Sequence, residues 1–219
     1  MTQRVSFPSS AGEASGVLFL PDGGAKGAGV VLIHEWWGVN AQIQSLAQRW
    51  VDEGFVTIVP DLFHGKVAAN AEEASALMKA LDFSKAVQEI AGAVKFLKSH
   101  DRCTRQVAVT GYCMGGALSL ASAVNIRGLA AVAPYYGWPG DLDWKQIDAP
   151  VQAHFAKHDE WAKVSLIEQA KAAVTVPMEL FVYDAEHAFC NDRRPEVYND
   201  ACATQAWERT LEFVRAQTS

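Results

Sequence analysis

The sequence predicts an α/β fold, a mostly parallel sheet covered by helices on both faces. Two observations carry this expectation. Short apolar runs alternate with longer stretches of helical periodicity along the whole chain, as parallel strands joined by crossover helices require. Half of the 219 residues are hydrophobic and only 20% are charged, enough apolar side chain for a sizeable core. Nothing repeats and no low-complexity linker interrupts the chain, so residues 1–219 are expected to form one domain.

Each element has its own signal. Residues 17–20 and 30–33 read as strands, with the turn Pro21-Asp22-Gly23-Gly24 between them. Residues 41–53 have helical spacing and stop at Gly54, a residue suited to ending a helix. A strand over 55–59 closes at Pro60, and helices are predicted over 71–81 and 84–100. Residues 106–110 form an apolar run into Gly111, and an alanine-rich helix is expected over 114–124. Further strands fall at 129–133, 151–155 and 178–182, with helices at 163–174 and 196–216.

Composition narrows the function classes. A net charge of −6 disfavours nucleic acid and anionic membranes as partners. No apolar run approaches the roughly 18 residues of a membrane span. The first residues, Met1 to Pro8, carry no apolar core of a secretory signal. Cys103, Cys113, Cys190 and Cys202 form no Cys-x-x-Cys pair, which suggests reduced thiols and a cytoplasmic location.

The most informative segment is Gly111-Tyr112-Cys113-Met114-Gly115. An apolar run ending in Gly-x-Cys-x-Gly before a helix is the nucleophile-elbow pattern, with cysteine in place of serine. Side chains at the flanking positions would crowd the sharp strand-to-helix turn. The helix N-terminus behind the sulfur favours its thiolate. In the α/β-hydrolase arrangement the nucleophile is followed along the chain by an acid and then a histidine, each just past a strand. Asp159 follows the strand at 151–155, and His187 follows the one at 178–182, in that order. Cys113, His187 and Asp159 are therefore the candidate triad. Asp159 also suits a helix cap near Trp161, and Asp184 and Glu186 are competing acids beside His187.

Two backbone N–H groups should form an oxyanion hole, one from Met114 and one from the loop His34-Glu35-Trp36-Trp37-Gly38, for which Trp36 is the choice. Glu35 is a carboxylate in that loop, either turned to solvent or a second proton acceptor for Cys113. Trp36, Trp37 and Trp138 offer an aromatic wall for a ring-bearing substrate. His154 and His158 straddle a strand end, so zinc is not expected, and no phosphate-binding glycine loop is present.

Val31-Leu32-Ile33-His34-Glu35-Trp36-Trp37-Gly38, Gly111 through Gly116, Asp159 and the segment Ala185 to Phe189 together resemble the dienelactone hydrolase family over nearly the whole chain. The resemblance implies an α/β-hydrolase fold of eight strands, without lid domain or cofactor. It implies the triad Cys113, Asp159 and His187, and a Glu35 that holds the thiol proton until a substrate carboxylate displaces it. Family members studied in detail clamp that carboxylate with two arginines. Here the corresponding helix reads Ala71 to Met78 without arginine, and the position four past the histidine is Asn191. Arg193 and Arg194 lie close by and supply either a substitute cation or surface ion pairs. Phe189, Asn191 and Arg193 join Trp37 and Trp138 as candidate substrate-binding residues.

The expected activity is hydrolysis of a small carboxylic ester or lactone, by a monomer or small homo-oligomer. A thioesterase or peptidase would use the same triad. Two other readings keep the fold: a catalytically silent binding protein, and a redox-responsive thiol protein bridging Cys113 to Cys190.

Overall fold

A computed structural model describes residues 1–219. In chain order the elements are β1 (Thr2–Ser9), β2 (Gly12–Phe19), β3 (Gly27–Ile33), α1 (Ala41–Asp52), β4 (Val56–Pro60), α2 (Ala71–Ala80), α3 (Phe83–Ser99), β5 (Cys103–Tyr112), α4 (Met114–Asn125), β6 (Ala131–Tyr135), β7 (Val151–Ala156), α5 (Val164–Ala173), β8 (Met178–Tyr183) and α6 (Asp200–Thr218). The strands form one sheet in the order β1-β2-β4-β3-β5-β6-β7-β8. β1 and β2 are antiparallel additions at one edge, whereas β3–β4, β6–β7 and β7–β8 pair in parallel. β4, β6 and β7 are buried at every position, as strands covered on both faces must be. This is the α/β-hydrolase fold.

Residues cluster into two compact units, Met1–Ala108 and Val109–Ser219, divided within β5. In the first unit, α1 packs on β4, and α3 packs on β1 and β4. Trp50 is fully buried and meets the edge of Phe55 at 5.1 Å. The three helices begin where short polar side chains can replace missing backbone acceptors. Asn40, Asn70 and Asp82 accept the N–H groups of Ile43, Glu73 and Lys85. β1 has no counterpart in the sequence reading. Only Phe7 is buried, with Val5 and Ser9 half-buried, so this edge strand offers a single strongly apolar inward position.

In the second unit, α4 packs on β6, and α6 packs on β6 and β7. The surface under α6 is polar. His154 on β7 bonds Tyr183 Oη through Nδ1 at 2.8 Å, and Thr210 Oγ1 and Gln152 Oε1 through Nε2 at 2.8 and 3.1 Å. Thr210 in turn meets Tyr135 Oη at 2.6 Å, and Tyr135 donates to the Ala206 carbonyl. One assignment satisfies every member: Nε2 carries the imidazole proton and Nδ1 accepts from Tyr183. Burial, and then the charge of Arg209, hold His154 neutral by lowering its pKa to about 3. Satisfied in this way, the polar groups tolerate burial. Helix α6 starts at Asp200, four residues later than expected, because Asn199 accepts from Cys202 N–H while residues 194–198 form turns. β6 runs two residues further than expected, through Pro134 to Tyr135.

Candidate active site

The second unit assembles three of the side chains singled out in the sequence. β5 ends at Tyr112, α4 begins at Met114, and Cys113 makes the corner between them. Its backbone lies at φ 55° and ψ −115°, a region that L-residues rarely occupy. The corner is held on both sides. Cys113 N–H donates to the Tyr135 carbonyl at 3.1 Å, and its own carbonyl accepts from Ala117 N–H at 3.0 Å. Two glycines outside the pentapeptide make this packing possible. A Cβ on Gly116 would collide with the Tyr135 carbonyl, and one on Gly137 would collide with Ala117 N and the Cys113 carbonyl.

β7 and β8 deliver the other two groups at the same end of the sheet. His187 Nε2 lies 3.1 Å from Cys113 Sγ, and its Nδ1 lies 2.7 Å from Asp159 Oδ2. Asp159 uses both oxygens, because Oδ1 also accepts the N–H groups of Trp161 at 2.8 Å and Ala162 at 2.9 Å. The capping role and the contact with histidine thus coexist in one carboxylate. Asp184, a competing acid, instead meets His158 at 2.8 Å and Lys157 at 3.5 Å.

The electrostatics follow from this line of contacts. Burial opposes the charge on His187, but the hydrogen bonds to Asp159 and Cys113 and the charges of both partners outweigh it. They raise the imidazole to about 10. Burial also opposes the Asp159 carboxylate. The hydrogen bond and charge of His187, with the N–H groups of Ala162 and Trp161, reverse that and leave its pKa lowered. At neutral pH the arrangement is an imidazolium between two groups that favour its charge.

Aromatic rings hold the imidazole in place. Tyr136, fully buried at φ 33°, presents its ring edge-to-face 5.2 Å from His187, and Phe189 backs Tyr136 at 5.3 Å. Trp161 meets His187 at 5.1 Å and 73°, yet is 75% exposed. The sequence reading missed both Tyr136 and Trp161 as site residues. Ending the strand before Pro134 hid Tyr136. For Trp161, its position two residues past Asp159 was the available signal.

The remaining candidates fall as follows. Met114 is the first residue of α4, where a helical N–H has no acceptor within its own helix. Phe189 is fully buried against Tyr136 and Tyr183, so its ring supports the site from behind. Asn191 is buried and accepts from Arg193 N–H at 3.1 Å. Arg193 points outward, 68% exposed and 3.9 Å from Asp192, while Arg194 pairs with Glu196 at 2.9 Å. Trp138 is half-buried against Trp144 at 5.2 Å. Glu35, Trp36 and Trp37 belong to the first unit and follow β3. There Glu35 is buried, and the half-buried Trp36 and Trp37 meet edge-to-face at 5.3 Å. No disulfide joins Cys113 to Cys190, and no group of three His, Cys, Asp or Glu side chains is placed to hold a metal.

Known proteins resemble this chain over most of its length. Residues 14–218 match the model of the Dienelactone hydrolase family. Protein usf of Aquifex pyrophilus is 33% identical, with 98% of each chain covered. A protein of Aquifex aeolicus named "Putative carboxymethylenebutenolidase" is 30% identical, again with 98% of each covered. Among solved structures, a dienelactone hydrolase-like promiscuous phosphotriesterase from metagenomic libraries superposes with a TM-score of 0.88 at 18% identity. That match covers 100% of this chain and 99% of the other, and at this identity the likeness concerns the fold.

Proposed function

The chain belongs to the dienelactone hydrolase family, a family of hydrolases, and on that premise we propose that residues 1–219 act as one domain that cleaves small carboxylic esters or lactones through Cys113. The observation that carries this reading is the continuous line Cys113 Sγ, His187, Asp159, with steps of 3.1 and 2.7 Å. Its chemistry follows from the charges. The Cys113 thiolate attacks the ester carbonyl carbon, and the carbonyl π electrons move onto oxygen. The Met114 N–H faces that oxyanion at the start of α4, where the helix dipole favours negative charge. On collapse, the C–O bond to the alcohol breaks, and the leaving oxygen takes the proton from His187 Nε2. A thioester and a neutral imidazole remain. Water then adds to the thioester, giving its proton to His187, and the thiolate departs with the acid as product. Asp159 keeps the Nδ1 proton in place throughout, as a positioning group for the tautomer.

The resemblance supplies the rest of the reading: the Trp36 N–H as second oxyanion donor and Glu35 as holder of the resting thiol proton. Two features favour uncharged substrates over dienelactone itself. Arg193 is turned to solvent beside Asp192, and Arg194 is committed to Glu196. A bidentate arginine clamp is hard to replace with neutral groups. A cytoplasmic location is part of the same proposal, on the spacing of the four cysteines in the sequence.

The test compares the purified protein with its Cys113→Ala variant on p-nitrophenyl acetate and on dienelactone. Cleavage of the reporter by wild type alone, without lactone turnover, is the expected result. Lactone turnover would mean that other groups hold the carboxylate. Equal inactivity of both proteins on both substrates would end the hydrolase reading of Cys113.

A further inference from the structure

Trp161 is a large apolar side chain left mostly in water beside the candidate acid–base group. It is 75% exposed, whereas Tyr136 on the same imidazole is fully buried. An indole in water forgoes the gain of burying its surface, and this one does so within ring contact of the imidazole that faces Cys113. Its position is not loose. The Asp159 carboxylate that holds His187 also accepts the Trp161 backbone N–H at 2.8 Å, which anchors the chain that carries the indole, and the ring meets the imidazole edge-to-face at 5.1 Å.

We propose that the exposed face of Trp161 is the subsite for the alcohol portion of the substrate, and that it selects esters whose leaving group carries a flat, uncharged, aromatic ring. This rests on the hydrolase reading above. The side of the substrate follows from the mechanism. His187 delivers its proton to the leaving oxygen, so whatever that oxygen carries lies against the residues flanking His187. Of its two aromatic neighbours, only Trp161 has free surface to offer. The lack of charge follows from the surroundings. Glu160 pairs with Lys163 at 3.5 Å, and Asp184 pairs with Lys157 at 3.5 Å and with His158 at 2.8 Å. Glu160, next to Trp161 in the chain, is thus matched by Lys163, and Asp184 by Lys157, which disfavours recognition of a charged ring through these groups.

The test compares benzyl acetate with hexyl acetate, two esters of the same acid with alcohols of similar acidity, by titrating released acetic acid. Wild type, Trp161→Ala and Trp161→Phe are compared by the ratio of the two kcat/KM values. An aromatic contact of this kind is worth about two- to tenfold. The benzyl-to-hexyl ratio is expected to fall by that factor in Trp161→Ala, mainly through KM, and to be largely retained in Trp161→Phe. An unchanged ratio, or an equal loss on both esters, would overturn the proposal. An equal loss would make Trp161 a support for His187.

A second readout needs no turnover. The Trp161 indole N–H resonance, identified by its absence in Trp161→Phe, is followed while benzyl alcohol or hexan-1-ol is added. A shift with benzyl alcohol alone supports the subsite even if neither ester is cleaved, a result that would overturn the hydrolase reading instead. Ester cleavage with no such shift would overturn the subsite and leave the hydrolase reading standing.

Discussion

Replacing Asp159 by Asn tests the physical logic of the site with almost no change in shape. The amide oxygen can still accept the N–H groups of Trp161 and Ala162, so the turn after β7 survives. What changes is the side facing His187. An NH2 group replaces the oxygen 2.7 Å from Nδ1, and two donors cannot share that contact. The imidazole must give up its Nδ1 proton or turn away. Its rise from 6.5 to about 10 corresponds to about 5 kcal/mol in favour of the imidazolium. Attributing about half of this to Asp159 weakens the imidazole's hold on its proton by roughly 2 to 3 kcal/mol, which still leaves it mostly charged at pH 7. The larger loss comes from the wrong tautomer, about 10³- to 10⁴-fold in hydrolysis. The assay is p-nitrophenyl acetate turnover at pH 7, with thermal melting to verify folding and Asp184→Asn as a control. Asp184 is exposed and pairs only with His158 and Lys157, so its loss should leave both rate and stability essentially unchanged. A folded Asp159→Asn enzyme within tenfold of wild type would refute the assignment, and a large loss in Asp184→Asn would transfer the role to that residue.

Two more consequences can be measured. His187 has a folded pKa of about 10 against 6.5 in the unfolded chain, so its stabilising contribution is complete below pH 6.5 and disappears as pH rises through 10. The stability advantage of wild type over His187→Gln in urea unfolding should shrink by roughly 3–5 kcal/mol across that window; a constant difference would mean that the imidazole is not held charged. Gly137→Ala would drive a methyl into Ala117 N and the Cys113 carbonyl, costing about 3 kcal/mol and distorting the corner that carries the thiol. A Gly137→Ala variant with unchanged melting and unchanged Cys113 alkylation rate would contradict that close approach.

Much of this protein was legible in the sequence because the signals were local. Alternating apolar and helical runs announced the parallel sheet, since both periodicities are imposed by neighbours along the chain. The strained corner at Cys113 was readable from the pattern Gly-x-Cys-x-Gly, and the chain order of Cys113, Asp159 and His187 placed each beside a strand end. Elements failed where the signal was weak or interrupted. Strand β1 buries little, and Pro134 broke the apparent run of β6 although the strand continues past it.

The sequence by itself determined the fold class, the family likeness and the order of the candidate residues, because these depend on residue type and spacing. Only the tertiary structure decided which acid meets His187, how Asp159 divides its two oxygens, and which rings flank the imidazole. It also assigned the tightest packing to Gly116 and Gly137, against partners about 20 residues away in sequence. The reason is physical. Such contacts join side chains from separate strands at one end of the sheet, and no local periodicity records the distance between them.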